Sequence, residues 1–360
     1  MQKKLITLAV AALASSTAFA QSNVSVYGSI DVGFSHRGDN VANGIKSKNA
    51  IDSGISAGNR LGFKGTEDLG NGVKAVFTVE AGYAADTGEH TQGGRLFGRQ
   101  AFVGLTGDFG TAIAGRLYAP HYSFLSALDP FKAGMVGMYR NVFAADVTVG
   151  GENLFDPTRV DNTVAYVSPN LSGFSLTAAY SNNALLQENA GNSGDNRVYV
   201  LLPRYTNGPI DIGLNIHRIK SKDSSAVNIN NYALGGSYDF RVAKVAAFYD
   251  QNKWKDYFAT NDLKLRSWLL GVTVPFGKHA LLASYTQSKL KTNSGNAKAR
   301  QWALGYTYTL SKRTNIYAAV ADITNDKKHG VFQRTASVGD SSNGGSGYQN
   351  GVQFGLKHTF

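Results

Sequence analysis

Four arginines, Arg60, Arg99, Arg116 and Arg159, and two aspartates, Asp129 and Asp146, are the residues whose type and placement could do chemistry. A guanidinium stays protonated through the neutral range and presents a fixed fork of donors. Such groups attract and orient anions; they do not turn them over. Carboxylates facing them across a narrow space would add a transverse field. Catalysis is poorly served. The chain has no cysteine, which excludes thiolate nucleophiles, disulfides and thiolate metal sites. No His-Glu-x-x-His or P-loop pattern occurs. The histidines, His36, His90, His121, His217, His279, His329 and His358, are scattered. A Ser/His pair meeting across strands stays conceivable, though no spacing asks for it. No metal or cofactor is expected. Basic residues are spread along the chain and not gathered in one stripe, which argues against nucleic acid.

The elements that must position these charges are strands. Val24, Val26, Ile30, Val32 and Phe34 alternate with Ser25, Tyr27, Ser29, Asp31 and Ser35. Successive strand side chains point to opposite faces, so this segment has an oily face and a wet one, at a length suited to crossing a bilayer. The last segment repeats the pattern. Val352, Phe354, Leu356, His358 and Phe360 oppose Gln353, Gly355, Lys357 and Thr359. A soluble sandwich strand could show the same alternation, but closing the chain this way suits the seam of a membrane barrel. Short turns, such as Asp68-Leu69-Gly70-Asn71-Gly72, alternate with long polar stretches, among them 84–94, 117–157, 182–196, 220–230, 251–264, 288–299 and 322–347. That asymmetry predicts an all-β fold, a sixteen-stranded antiparallel transmembrane barrel with short turns on one rim and long loops on the other. Tyr166, Tyr180, Tyr205, Trp268, Tyr285 and Trp302 sit on the apolar parity, as interfacial girdles require.

Strand parity puts Arg60 and Arg116 on the wet side, and Arg159 with Asp161 and Thr163. Arg99 shares parity with Ala101, Val103 and Leu105, the oily side, so a bulge or a position above the oily band is needed to bring it inward. The stretch 117–157 holds Phe124, Phe131, Met135, Tyr139, Phe143 and Phe155, too many apolar groups for a solvated loop. Packing on the inner wall would place Asp129 and Asp146 opposite the arginines; an external loop against a neighbouring subunit is the rival arrangement.

Residues 1–20 carry Lys3 and Lys4, an apolar run from Leu5 to Leu13 and an Ala18-Phe19-Ala20 ending, the signature of a cleaved secretory signal peptide. No later stretch is apolar enough for a spanning helix, so residues 21–360 are expected to form the barrel. The formal net charge of +11 fits anionic solutes or surfaces without choosing between them.

Several stretches resemble the general porins of Gram-negative outer membranes, in the group typical of beta-proteobacteria. They are Ser25-Val26-Tyr27-Gly28-Ser29-Ile30-Asp31, the block from Asn59 to Gly72, Arg99-Gln100-Ala101-Phe102-Val103-Gly104-Leu105 with Gly115-Arg116, Asp161 to Tyr166, Tyr306 to Thr314, and Gly355 to Phe360. The resemblance implies a homotrimer in the outer membrane, surrounded by lipid and lipopolysaccharide. It also implies a third loop that folds into the lumen and a terminal Phe360 read by the assembly machinery. A constriction arginine at Arg99 comes from the resemblance too. The implied function is passive diffusion of ions and small hydrophilic solutes, with inorganic anions preferred on the basic excess. A substrate-specific channel, an adhesin and a membrane hydrolase are the competing readings.

Overall fold

The computed structural model describes residues 23–39, 46–143, 148–149, 152–153, 155–184, 195–221, 227–257, 261–293, 295–326, 336 and 347–360; the leader and Asp146 lie outside this set. The chain forms β1 (Asn23–Gly38), β2 (Lys48–Ser53), β3 (Arg60–Gly70), β4 (Val73–Gly82), β5 (Gln100–Gly107) and β6 (Gly110–Tyr118). Two helices, α1 (Pro120–Leu128) and α2 (Arg140–Phe143), and a small hairpin of β7 (Thr148–Val149) and β8 (Glu152–Asn153) follow. The wall resumes with β9 (Arg159–Val167), β10 (Phe174–Ser181), β11 (Asn196–Asn207), β12 (Ile210–Ser221) and β13 (Asn228–Asp239). It is completed by β14 (Lys244–Tyr257), β15 (Asn261–Phe276), β16 (His279–Thr292), β17 (Gly295–Thr309), β18 (Thr314–Asp326) and β19 (Asn350–Thr359).

Every wall strand pairs antiparallel with its neighbours, and β1 closes the cylinder on β19 from Ser29↔Thr359 to Gly38↔Asn350. Gly28 and Phe360 exchange two further backbone bonds, at 3.0 and 3.1 Å, so the final residue belongs to the seam. The far side of β1 pairs with β3 below and with β2 above. These two pieces fill one wall position, so the cylinder has sixteen staves and one of them is broken in two. At the break, residues 54–59 leave the ladder. Asp31 accepts the Ser56 and Ala57 N–H groups at 2.7 and 2.8 Å and the Tyr317 hydroxyl.

Outward side chains are apolar where lipid would touch them: Val26, Val103, Leu234, Leu304 and Phe354 are each more than half exposed. Two aromatic tiers bound this band. Phe174–Tyr205 and Tyr238–Phe240 pack near the short turns, while Tyr180–Tyr199 and Trp268–Tyr285 pack near the other rim. Among the described residues no helix is long and apolar enough to cross a membrane; the crossing is made by strands.

The polar stretches 251–264 and 288–299, predicted as loops, are mostly strand. The β14–β15 ladder runs up to Tyr257↔Asn261, and the β16–β17 ladder to Thr292↔Gly295. Above the upper aromatic tier the alternation inverts. Leu263, Leu265, Leu290 and Ala297 point inward and are buried, while lysines point out. Pairing there continues because the backbone ladder does not depend on which face is oily.

Candidate functional site

The lumen is narrowed by the segment between β6 and β9. Pro120 opens α1 at a position where its missing N–H costs nothing. One stripe of the helix, His121, Phe124, Leu125 and Leu128, is buried against β11, β12, β13 and β14, leaving Ser123 and Ala127 exposed to the lumen. The segment follows a track of wall glycines. A Cβ on Gly213 would lie 2.9 Å from Phe124, on Gly235 2.5 Å from Leu128, and on Gly271 2.5 Å from Pro130. On Gly305 it would meet Phe131 at 2.7 Å, and on Gly351 it would meet Val136 at 2.7 Å. Loop residues therefore seat on β12, β13, β15, β17 and β19 in chain order. The run ends at the broken stave, where Met135 N–H donates to the Ile55 carbonyl at 2.5 Å.

A buried polar latch holds the start and end of this segment together. His121 Nδ1 is 3.1 Å from Asp156 and Nε2 is 2.8 Å from Asp250 on β14. Tyr139 and Arg140 also donate to Asp156, at 3.0 and 2.8 Å. Burial alone would lower the His121 pKa, but the two carboxylates hold it up at about 9, so the ring donates from both nitrogens at neutral pH. Burial opposes ionisation of Asp156, yet Arg140 and His121 bring it down to about 2.

The predicted charges fall into distinct groups. Arg99 faces inward. It stands one residue before β5, where the ladder does not yet impose parity, and its Nε donates to Glu80 at 2.9 Å. A guanidinium nitrogen also donates to the Tyr118 hydroxyl at 2.6 Å. Arg116 donates to Asp161 at 2.5 Å and to the Gly98 carbonyl at 2.7 Å, and Arg95 takes the same carboxylate at 2.8 Å. Arg99 and Arg116 thus face the lumen with their charge matched. Arg60 and Arg159 have no carboxylate partner among the described residues. Arg159 lies 4.9 Å over the Tyr118 ring. Lys357 on β19 is within electrostatic reach of Arg60 and of Lys132 on the loop.

Asp129 was expected on the acidic side of the aperture, and the structure corrects this. It is 2% exposed and accepts the N–H groups of Phe131, Ala133 and Tyr139 at 3.1, 3.0 and 3.2 Å. Its carboxylate shapes the turn after α1 and does not face solutes; burial lifts its pKa to about 6 against those amides. The carboxylates that meet arginines on the inner side of the wall are Asp52, Glu80, Asp161 and Asp211, and Asp156 does so at the end of the loop. Parity marked Glu80 and Asp161 as wet-facing, but their partners depend on strand register. Tyr118 and Tyr122 were also missed. They stack at 5.8 Å with rings 17° apart, and Arg99, Arg140 and Arg159 lie over their faces. Their i, i+4 spacing was the available signal.

A sealed antiparallel cylinder with an apolar outer band, a polar bore and an inward-seated loop defines a transmembrane channel of the outer-membrane type. The comparisons agree. A family model described as Gram-negative porin matches residues 7–328. An outer membrane porin protein of Bordetella pertussis is 32% identical over 88% of this chain and 93% of its own length. Outer membrane porin protein 32 of Delftia acidovorans is 31% identical over the whole of both chains. The solved anion-selective porin from Comamonas acidovorans superposes with a TM-score of 0.77 at 29% identity, covering 94% of this chain and 100% of that one. The chain belongs to the Gram-negative porin family and is an outer-membrane channel.

Proposed function

We propose that the channel is a water-filled, passive, anion-preferring pore for ions and small hydrophilic solutes. One observation supports the sign: Arg95, Arg99, Arg116 and Arg140 face carboxylates, whereas Arg60 and Arg159 keep unmatched guanidinium charge beside the bore. Fixed charge at a narrow point sets ion preference, and guanidinium charge persists at any neutral pH. Reversal potentials of the purified protein in a KCl gradient test this: chloride should be preferred, and Arg60→Ala should reduce the preference. Cation preference in the wild type would overturn it.

In this reading residues 1–20 are a signal peptide removed on export, and residues 117–157 set the aperture. The channel works as a homotrimer among outer-membrane lipid and lipopolysaccharide. Phe360 serves as the assembly signal, and the chain has no catalytic role, cofactor or nucleic-acid partner. The stacked Tyr118 and Tyr122, flanked by arginines, favour a second reading, a substrate-specific channel with an internal site for aromatic anions. Saturable flux or blockage by one such solute would separate it from free diffusion.

A further inference from the structure

The outer face of the upper wall carries rows of like charge that the lumen does not explain. Directly opposed residues in an antiparallel pair project to the same side. Lys253 opposes Lys264, and Lys264 opposes Lys291. One row lower, Arg266 opposes Lys289, and Lys289 opposes Lys298. The chain neighbours Leu263, Leu265, Leu290, Ala297 and Ala299 are buried on the inside, so these cations point away from the bore and cannot act on permeating ions. Lys253 pairs with Asp262, and Asp326, opposite Lys298, is taken by Arg300. Lys264, Arg266, Lys289, Lys291 and Lys298 have no carboxylate partner among the described residues. Like charges facing each other across a ladder destabilise a sheet, so two such rows call for an external counter-charge.

Their height says where it comes from. Arg266 lies two residues beyond Trp268 of the upper aromatic tier, and Lys264 four beyond. At about 3.4 Å per residue and roughly 40° of tilt, the rows stand about 5 and 10 Å above that tier. That is the depth of the headgroup layer, outside the hydrocarbon. A surface meant only for water would mix the two signs; apart from Asp262, which Lys253 takes, this one is basic across the described residues of β15, β16 and β17.

We propose that the outward faces of β15–β17 form a binding site for the phosphate groups of an anionic outer-leaflet glycolipid, with the acyl chains lying below on the Trp268–Tyr285 tier. The site gives the lipopolysaccharide contact of the preceding section its residues, and it rests on the outer-membrane placement of the barrel.

The test uses the detergent-purified, delipidated full chain. Binding of bisphosphorylated lipid A is titrated by native mass spectrometry, beside dephosphorylated lipid A and with inorganic phosphate as competitor. Wild type should bind the bisphosphorylated form and discriminate strongly against the dephosphorylated one, and millimolar phosphate should not displace it. Arg266→Gln with Lys289→Gln and Lys298→Gln should weaken binding by about a hundredfold, from roughly fivefold per basic residue at an anionic surface. Lys289→Arg should bind as wild type. Heat-modifiable migration confirms that each variant is folded, and an unchanged reversal potential separates this outcome from failure of the channel reading. Equal affinity for both lipid A forms, displacement by free phosphate, or an unaltered folded triple variant would overturn the proposal.

Discussion

Replacing Gly271 by alanine should push the lumenal segment off the wall. The new Cβ would sit 2.5 Å from Pro130 Cγ and 2.6 Å from Cδ, about 1 Å inside ordinary contact. A proline ring cannot rotate away, and the backbone on both sides is held. Asp129 is fixed by three amide donors, and Phe131 fills the space over Gly305. The whole turn must therefore move toward the axis. Overpacking of this kind costs about 1–3 kcal/mol, enough to lower the melting temperature and, by narrowing the bore, the single-channel conductance. Gly351→Ala is the internal comparison. Its one close contact is a Val136 methyl at 2.7 Å, with the next atom at 3.5 Å, and a methyl can turn aside, so the effect should be smaller. Adding Pro130→Ala to Gly271→Ala removes both clashing atoms and should restore conductance. Planar-bilayer recordings and thermal melts of the three variants decide the matter. If Gly271→Ala matched wild type in both, or if Pro130→Ala failed to rescue it, the seating of the loop on the glycine track would be refuted.

Other outcomes follow from the same contacts. Asp161→Asn removes the carboxylate shared by Arg95 and Arg116, so chloride preference in a KCl gradient should rise, and an unchanged ratio would count against those charges reaching the bore. The His121 pKa is raised in the folded protein, so its contribution is complete below about 6.5 and is lost as pH climbs through about 9. That shift corresponds to about 3 kcal/mol; wild-type conductance should become noisy above pH 9, and His121→Gln should show the noise already at pH 7. Deleting Phe360 removes two backbone bonds and the ring over Gly28 at the seam, so the folded yield in membranes should drop several-fold on heat-modifiable gels.

The lipid-crossing part of the fold was legible because lipid imposes a strict period of two. Val24, Val26 and Ile30 point out as their parity requires. The reading failed where that constraint ends. Lys264, Lys289 and Lys291 read as loop because polar density replaced the oily face, although the ladders continue past them. Arg99 defied parity because it precedes the first paired residue of β5. The unpaired character of Arg60 and Arg159 was out of reach for a different reason. Whether an arginine meets an acid depends on strand register and on a loop returning from tens of residues away, as Arg116 meets Asp161 and Arg140 meets Asp156. Asp129 looked like any acidic group in a loop; only the folded turn aims three amides at it.

The order in which the loop meets its seats has a consequence for assembly. Residues 124–136 precede in the chain every glycine they lie on, and their last contacts, Val136 at Gly351 and Met135 at the broken stave, require the final strand to have met the first. An unfinished cylinder thus has no gauge: its bore is defined only when the two ends of the polypeptide join. A stalled assembly intermediate in the membrane would leak without discrimination, which ties the filter to the completeness of the wall that carries it.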